Sequence, residues 1–392
     1  MIKQQGLSLE RKVLLFEQIL DGYKKDKLIT RKGLIEKNGF RPATVSQLLF
    51  DLIELNIVKE DMKTSVSGPG RPEVCLIPNL KEFNAVFVHI DSLTITASLV
   101  NLVSDVLFST SVKIENRETS KEEIVLAIGS IVKSAIESAE PNMKICGVTL
   151  SLPGIVDREN QIWKYSNRWP NATNVSFESI STKASCKINL VKNLQSELNS
   201  FVLENRQLAS RKTLYIHWGE GIGAATYDPK RMTRFGGTGL FSELGQTIID
   251  SDGCTLEKAV SLAALRHELS LTIGCTIGNE KQCADQVKLK PLSSLTCLES
   301  ATETFSRSLV NTYLTLFPDT IILTGPFVQN SQVFEELKSQ FFAHIPNYCS
   351  PDIQLLVNVN SVQNELQGAI SPFFKQYVNE IIVNGSHKST AK

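Results

Sequence analysis

Apolar side chains recur at helical spacing in the first part of the chain. Segments 9–22 and 31–38 each predict a helix, and Thr30 and Gly39 supply the N-cap and the left-handed stop of the second. A third helix is predicted to start at Pro42, with a buried stripe of five apolar side chains: Val45, Leu48, Leu49, Leu52 and Ile53. This order of helix, tight turn and helix is typical of a helix-turn-helix.

Two strand-like runs follow the third helix, at 57–60 and 74–77. Between them lies Gly68-Pro69-Gly70-Arg71-Pro72, a turn whose two prolines rule out a helix. We therefore expect a β-hairpin here, and residues 1–80 are predicted to form a winged helix-turn-helix domain.

Beyond residue 80 the pattern changes to alternating strands and helices, which is typical of an α/β fold. One α/β cycle ends with a predicted strand at 145–150, and a second starts near residue 187. Helical patterns dominate 255–317, before a strand at 320–323 and a last helix from Val362. We expect a first α/β lobe over 81–190 and a second over 191–392, with the C-terminal helix returning to the first lobe.

Composition narrows the class of protein. The 392 residues include 42% hydrophobic and 21% charged residues, which indicates a folded protein of two or three domains. No apolar stretch is long enough to span a membrane or to act as a signal-peptide core, so we expect a cytoplasmic protein. Residues 1–80 hold 13 basic and 10 acidic side chains, whereas the whole chain has 41 of each, so a weakly basic head precedes an acidic body.

Eight cysteines are scattered along the chain without any CxxC pair. This spacing favours neither a disulfide framework nor a zinc knuckle, and we expect buried, reduced thiols.

Seven sequence features carry a resemblance to a known family. They are GPGRP in the hairpin, then LSLPGIVD, GEGIGAA, GGTGLFSELGQ, Leu256-Glu257, IILTGP and a late GAI. Their order behind a helix-turn-helix resembles the ROK family (repressors, open reading frames and sugar kinases), specifically its winged-helix repressors such as the xylose and N-acetylglucosamine repressors. The resemblance covers nearly the whole chain and implies an actin-like (ribonuclease-H-like) pair of lobes with a sugar in the cleft.

The third helix supplies candidate DNA contacts at its N-terminal end. Arg41, Thr44, Ser46 and Gln47 can donate to or accept from base edges and phosphates in a major groove. Arg71, on a stiff ribbon between Gly70 and Pro72, is a candidate for the minor groove. The alternatives are an ordinary solvated helix face and a plain tight turn with an incidental arginine.

The resemblance also implies where a kinase would keep its machinery. Family kinases carry a catalytic Asp after an Asn at the end of a strand in the second α/β cycle, whereas this chain has Asn193-Leu194, and no Asp occurs between Asp157 and Asp228. Leucine cannot accept a proton. Glu197 and Glu204 lie in a helical pattern and are expected to face water. We therefore expect no catalytic residue.

The phosphate loops and the zinc element depart from the family as well. Ser92 and Leu93 stand where the family has glycines, and Glu220 stands where it has Thr, so bound nucleotide is not expected. Gln246 replaces a zinc-binding His, and only Cys254 lies nearby, so we expect no metal. A partial sugar pocket remains, for which the resemblance implies five candidates: Gly154, Asn193, Glu243, Gln246 and Glu257. The alternative is a vestigial pocket.

These observations favour a DNA-binding transcriptional regulator without enzymatic activity, a repressor of carbohydrate genes. Its partners would be a double-stranded DNA operator, a sugar or sugar-phosphate effector, and further copies of the chain in a homodimer or homotetramer. Two alternatives stay open. One is a sugar kinase with an accessory head, and the other is a regulator controlled by a protein partner without a small-molecule effector.

Overall fold

A computed structural model describes residues 2–27, 29–66, 73–91, 94–115, 118–230, 243–349, 352–359 and 362–389. The head consists of three helices and a two-stranded antiparallel sheet: α1 (Ile2–Lys24), α2 (Arg31–Asn38), α3 (Pro42–Glu54), β1 (Val58–Val66) and β2 (Glu73–Pro78). The Thr30 hydroxyl caps α2 by accepting from the Gly33 amide at 3.2 Å, and Gly39 ends the helix at φ 63°. Both ends of α2 lie where the sequence predicts them.

The first lobe is built on a five-stranded sheet. Its elements are β3 (Asn84–Ile90), β4 (Thr94–Asn101), β5 (Val106–Lys113), α4 (Lys121–Glu137), β6 (Ile145–Leu152), β7 (Ile155–Asp157), β8 (Ile162–Tyr165), β9 (Val175–Ser176), α5 (Glu178–Ala184) and β10 (Ile188–Lys192). The strand order is β10-β6-β3-β4-β5, with β6 parallel to both of its neighbours. Strands β7–β9 form a small separate sheet that the sequence pattern does not predict.

The second lobe is built on a four-stranded sheet. Its elements are α6 (Asn193–Glu204), β11 (Thr213–Trp218), β12 (Ile222–Tyr227), α7 (Leu256–Val260), α8 (Leu262–Ile273), α9 (Glu280–Val287), α10 (Thr296–Leu316), β13 (Thr320–Thr324), α11 (Ser331–His344), β14 (Gln354–Val357) and α12 (Val362–Ser389). The strand order is β12-β11-β13-β14, and only β12 runs antiparallel. The large apolar cluster of this lobe lies between the sheet and the helices α7–α11.

Helices α6 and α12 connect the two lobes. Helix α6 leads from β10 of the first lobe to the second sheet, and α12 leads from β14 back to β3 and β6 of the first. The two helices cross at Gly368, where a Cβ would overlap the Ser196 carbonyl oxygen and lie 2.9 Å from the Ser200 nitrogen. Only glycine permits this approach of the two backbones.

Head, first lobe and α12 share one hydrophobic core. It joins Phe16 of α1 and Leu49 of α3 to Phe87 of β3 and to Ile370 and Phe374 of α12. All five side chains are buried. The head is therefore packed onto the body and is not held by a linker alone.

The predicted fold class, a winged helix-turn-helix before a two-lobed α/β body, is confirmed. The helix predicted at 196–209 instead spans Asn193–Glu204, followed by a short 3-10 turn at Arg206–Ser210. Every cysteine is a free thiol, and five are buried as expected. Cys186 and Cys254 are only half-buried, and Cys275 is exposed because it follows the Gly274 stop of α8 on the surface. Among the helices described, none is both long and apolar enough to cross a membrane.

Candidate functional site

The N-terminal half of α3 presents four predicted DNA contacts. Arg41, the N-cap residue, is exposed and makes no side-chain cap bond, and Gln47 is exposed nearly two turns further on. Thr44 and Ser46 are half-buried. The Gln47 amide donates to Asp51 Oδ1 at 3.0 Å. The helix end therefore exposes the polar side chains of Arg41 and Gln47, and Arg71 lies outside the described residues.

An arginine that sequence reasoning missed braces this surface. Arg31 donates to the Ser46 hydroxyl at 3.4 Å and to Glu60 at 3.1 Å, which joins α2, α3 and β1. Behind it, the buried Lys12 of α1 pairs with Asp51 of α3 at 2.8 Å. Arg31 thus links α3 to α2 and to the hairpin, and the Lys12 pair links α3 to α1.

The candidate sugar residue Glu257 lies where the two lobes meet. Its Oε2 accepts from the Ile222 amide at 2.8 Å, and its Oε1 accepts from Gln246 at 3.4 Å and from Asn167 at 3.0 Å. Asn167 follows β8 in the first lobe, so this bond crosses between lobes. The structure thus brings two of the five predicted sugar residues together, and Asn167 takes part in the same network.

A second carboxylate, that of Glu280, also connects the two lobes, beside Glu257. Glu280 Oε1 accepts from Arg168 at 3.1 Å and from the Glu220 amide at 2.6 Å, and it lies 3.0 Å from His217 Nε2. Burial raises the pKa of Glu280, but His217, Arg168 and the Glu220 amide outweigh it and hold that pKa well below its usual range. The Glu220 carboxylate is paired with Arg266.

The other three predicted sugar residues are Gly154, Asn193 and Glu243, and the carbonyl oxygen of Glu243 accepts from the Gln246 amide at 2.9 Å. Gly154 has φ 79°, and a Cβ there would overlap the Tyr165 carbonyl oxygen, so a close backbone approach requires glycine. Asn193 accepts from the Leu194 amide at 2.8 Å at the start of α6. Glu243 is half-buried and acts electrostatically on Lys192, whose pKa burial lowers to about 8. No group of three or more metal-ligating side chains occurs within the described ranges.

Leu194, which the resemblance places at the position of the kinase base, has an apolar side chain. Leu194 is buried and packs with Leu198, Val202 and Tyr215 between α6 and the second sheet. The Leu194 side chain itself cannot take a proton from a sugar hydroxyl.

The expectation that Glu197 faces water is wrong. Glu197 is 5% exposed and accepts from the Tyr215 hydroxyl at 2.8 Å, because α6 lies between lobes with this face against β11 and α12. Its spacing of three residues from Leu194 places it on the apolar side of α6, a signal present in the sequence. Glu204 is exposed, as expected.

A buried ion pair lies near Glu197. His89 Nδ1 of β3 is 3.0 Å from Glu365 Oε2 of α12. Burial, together with the charge of Glu365, raises the pKa of Glu197 to about 7. Two lobes and both connecting helices therefore meet at a set of titratable side chains.

Removing both interlobe donors is expected to loosen the cleft without unfolding the protein. In the double variant N167A/R168A, Glu257 and Glu280 keep their bonds within the second lobe, so the Tm should fall by only a few degrees. Hydrogen exchange at residues 219–222 should become faster, measured by mass spectrometry. K164A, which removes a 2.9 Å pair with Asp157 inside the first lobe, is the control and should leave that exchange unchanged. Equal exchange in all three proteins would contradict an interlobe role for these bonds.

Comparison with known proteins gives concordant results. The profile of the ROK family matches residues 92–375. A xylose repressor from Caldicellulosiruptor bescii is 26% identical over 246 residues, which cover 61% of this chain and 58% of that protein. This chain thus spans less than two thirds of that relative.

Two solved structures show the same fold. A ROK family transcriptional regulator, a homologue of the E. coli MLC protein, superposes with a TM-score of 0.75 and 15% identity over 97% of this chain and 98% of that one. A ROK family glucokinase from Streptomyces griseus, in complex with glucose and AMPPNP, has a TM-score of 0.58 and 17% identity over 74% and 98%. The regulator matches head and body, whereas the glucokinase match covers three quarters of the chain.

Proposed function

This chain belongs to the ROK family, and from that membership we propose that it is a DNA-binding transcriptional regulator, a repressor of carbohydrate uptake or catabolism genes. The observation that carries the proposal is the exposed, braced N-terminal half of α3 in a helix-turn-helix packed onto the ROK body. The relative named a xylose repressor supports the same conclusion. We place the DNA-binding domain at 1–80, the lobes at 81–190 and 191–392, and the protein in the cytoplasm.

The same proposal excludes phosphoryl transfer, although the family includes sugar kinases. Leu194 occupies the position of the base, and the two amides of the glycine loop at 220 and 222 donate to Glu280 and Glu257. A phosphate would have to displace both carboxylates and would meet their charge. A coupled assay with ATP and a panel of hexoses should therefore detect no turnover, and turnover above the blank would contradict this part of the proposal.

The effector would be a sugar or sugar phosphate held by Gly154, Asn193, Glu243, Gln246 and Glu257. Carboxylate and amide groups suit adjacent hydroxyls, which form two hydrogen bonds with one such group. One observation favours a second candidate, a regulator controlled by a protein partner. The Asn167 amide already donates a hydrogen bond to Glu257, so a sugar would have to compete for this carboxylate. Calorimetry with a sugar panel separates the two, because only the first predicts heat of binding.

Helices α6 and α12 offer a route from the cleft to the head. Helix α6 begins at Asn193 and crosses α12 at Gly368, and α12 shares its core with α1 and α3. A ligand that favours one lobe separation would therefore favour one position of the head. In a homodimer or homotetramer, two heads would meet a palindromic operator, and their spacing would decide the affinity.

DNA binding is tested by selection from a random duplex pool, with Arg41 as the probe of phosphate contact. We expect a palindromic site whose affinity falls linearly with the logarithm of salt concentration. If Arg41 contacts phosphate, R41A should reduce that slope by about one and weaken binding to all duplexes alike. K133A, an exposed change on α4, is the control. Failure to bind any duplex at low salt would contradict the proposed function.

A further inference from the structure

The exposed side of α3 carries one stripe of side chains. Ala43, Ser46, Gln47 and Phe50 are spaced i, i+3, i+4 and i+7, and lie opposite the buried residues of this helix. Recognition helices that lie in a major groove read bases with this spacing, as homeodomain helices do. The stripe shares Ser46 and Gln47 with the set predicted on this helix, but it has Ala43 and Phe50 where that set has Arg41 and Thr44.

Phe50 is an unexpected residue on this face. Its side chain is 57% exposed, and within the described residues it belongs neither to the shared core nor to the apolar residues packed around it. The nearby Phe40 differs, because it packs on that core with Arg11 4.9 Å above its ring. On a helix face that the proposed function sets against DNA, an exposed ring of this kind can make an apolar contact with a base.

The surroundings of Phe50 favour DNA as that partner. Gln47 lies about one helical turn, roughly 5 Å, toward the N-terminus, so the two side chains would reach neighbouring base pairs. Asp51, the adjacent carboxylate, is neutralised by Lys12 at 2.8 Å, so it presents little negative charge to a duplex. Exposed Arg41 lies at the start of α3 and provides positive charge beside the stripe, whereas Arg31 is already paired with Glu60.

We propose that Phe50 reads thymine in the major groove of the operator, with its ring against the C5-methyl group, while Gln47 pairs with the N6 and N7 atoms of a neighbouring adenine. Thymine alone presents a methyl group in that groove, and a glutamine amide matches adenine with two hydrogen bonds. Each half-site therefore contains A·T pairs at the two positions that these residues contact. The inference rests on the proposed function and adds base identities to it.

Removal of single thymine methyl groups tests the inference directly. The probe is the duplex selected from the random pool, with each thymine replaced in turn by deoxyuracil, which lacks only the C5-methyl. Wild-type protein should lose about three- to tenfold in affinity at one or two positions of each half-site. F50A should bind the unmodified duplex with a similar loss and should no longer respond to deoxyuracil at those positions. L126A, an exposed apolar truncation on α4, is the matched control and should behave as wild type.

The outcomes separate the inference from the proposed function. If the protein binds duplexes but wild type and F50A respond alike to every deoxyuracil, Phe50 does not read thymine, and DNA binding stands. If F50A instead changes the oligomeric state, measured by light scattering, its ring serves contacts between copies and the inference is overturned. If no duplex binds, the proposed function itself fails. Unfolding of F50A is not expected, because the ring lies outside the core, and the deoxyuracil scan on wild type needs no variant.

Discussion

A methyl group added at Gly368 is expected to destabilise the protein by about 2–4 kcal/mol. The Cβ of G368A would overlap the Ser196 carbonyl oxygen and lie 2.7 Å from the carbonyl carbon. These are backbone atoms in the middle of α6, so no side chain can rotate away, and the two helices must move apart. The urea midpoint of unfolding measures the loss.

The chain offers a matched control for this substitution. Gly129 also lies inside a helix, α4, but a Cβ there would meet only the Ile180 side chain, Cγ1 at 3.7 Å and Cδ1 at 4.0 Å, which are ordinary contacts. G129A should therefore stabilise the protein by about 0.5–1 kcal/mol, because alanine favours a helix over the unfolded chain. If glycine-to-alanine substitution lowers the free energy of unfolding at 368 and raises it at 129, the contact between the two helices at Gly368 determines the effect. A stable G368A would show that the lobes can shift at no cost.

The difference between these glycines shows what local sequence can and cannot predict. The limits of α2 and β11 follow from short-range signals: Thr30 and Gly39 cap the helix, and strand-forming residues with an alternating polarity fill 213–218. Both glycines lie in helical patterns, and nothing near Gly368 indicates that α6 passes over it. Its role depends on Ser196, which lies far away in the sequence.

The same distinction, between short-range signals and contacts distant in sequence, applies to the candidate site. Glycine and carboxylate positions in the loops could be found from sequence because they belong to short motifs. Asn167 and Arg168 could not, since their partners Glu257 and Glu280 belong to the other lobe, and only the folded arrangement joins them. Phe50 could not be identified from sequence as an exposed contact residue, because an apolar residue in an amphipathic helix is normally assigned to the core.

Glu197 should make the protein less stable as pH rises from 5 to 8. Its pKa is raised to about 7, chiefly by burial and then by the charge of Glu365, so the folded state holds its proton more tightly than the unfolded chain. The resulting stability is present below about pH 4.5 and is lost as pH rises through 7. Over this range the expected loss is about 3 kcal/mol at most, because one pKa unit corresponds to about 1.4 kcal/mol.

His89 contributes in the same direction. Burial lowers the pKa of His89, but the neighbouring Glu365 outweighs it, and the net shift is upward. Stability from the protonated imidazole is therefore present at low pH and is lost as pH rises above 6.5. Because His89 also makes the protein less stable as pH rises, replacing Glu197 alone should reduce the pH dependence of stability but not abolish it.

The variant E197Q isolates the effect of this one carboxyl group. Glutamine keeps an oxygen that can accept from the Tyr215 hydroxyl but cannot ionise, so E197Q should match wild type near pH 5 and exceed its stability at pH 8. Urea midpoints measured at half-unit intervals of pH give the two profiles. E204Q, an exposed change on the same helix, should follow wild type throughout. Parallel profiles for wild type and E197Q would show that Glu197 stays ionised in the folded protein, and would contradict the assignment of a raised pKa to this group.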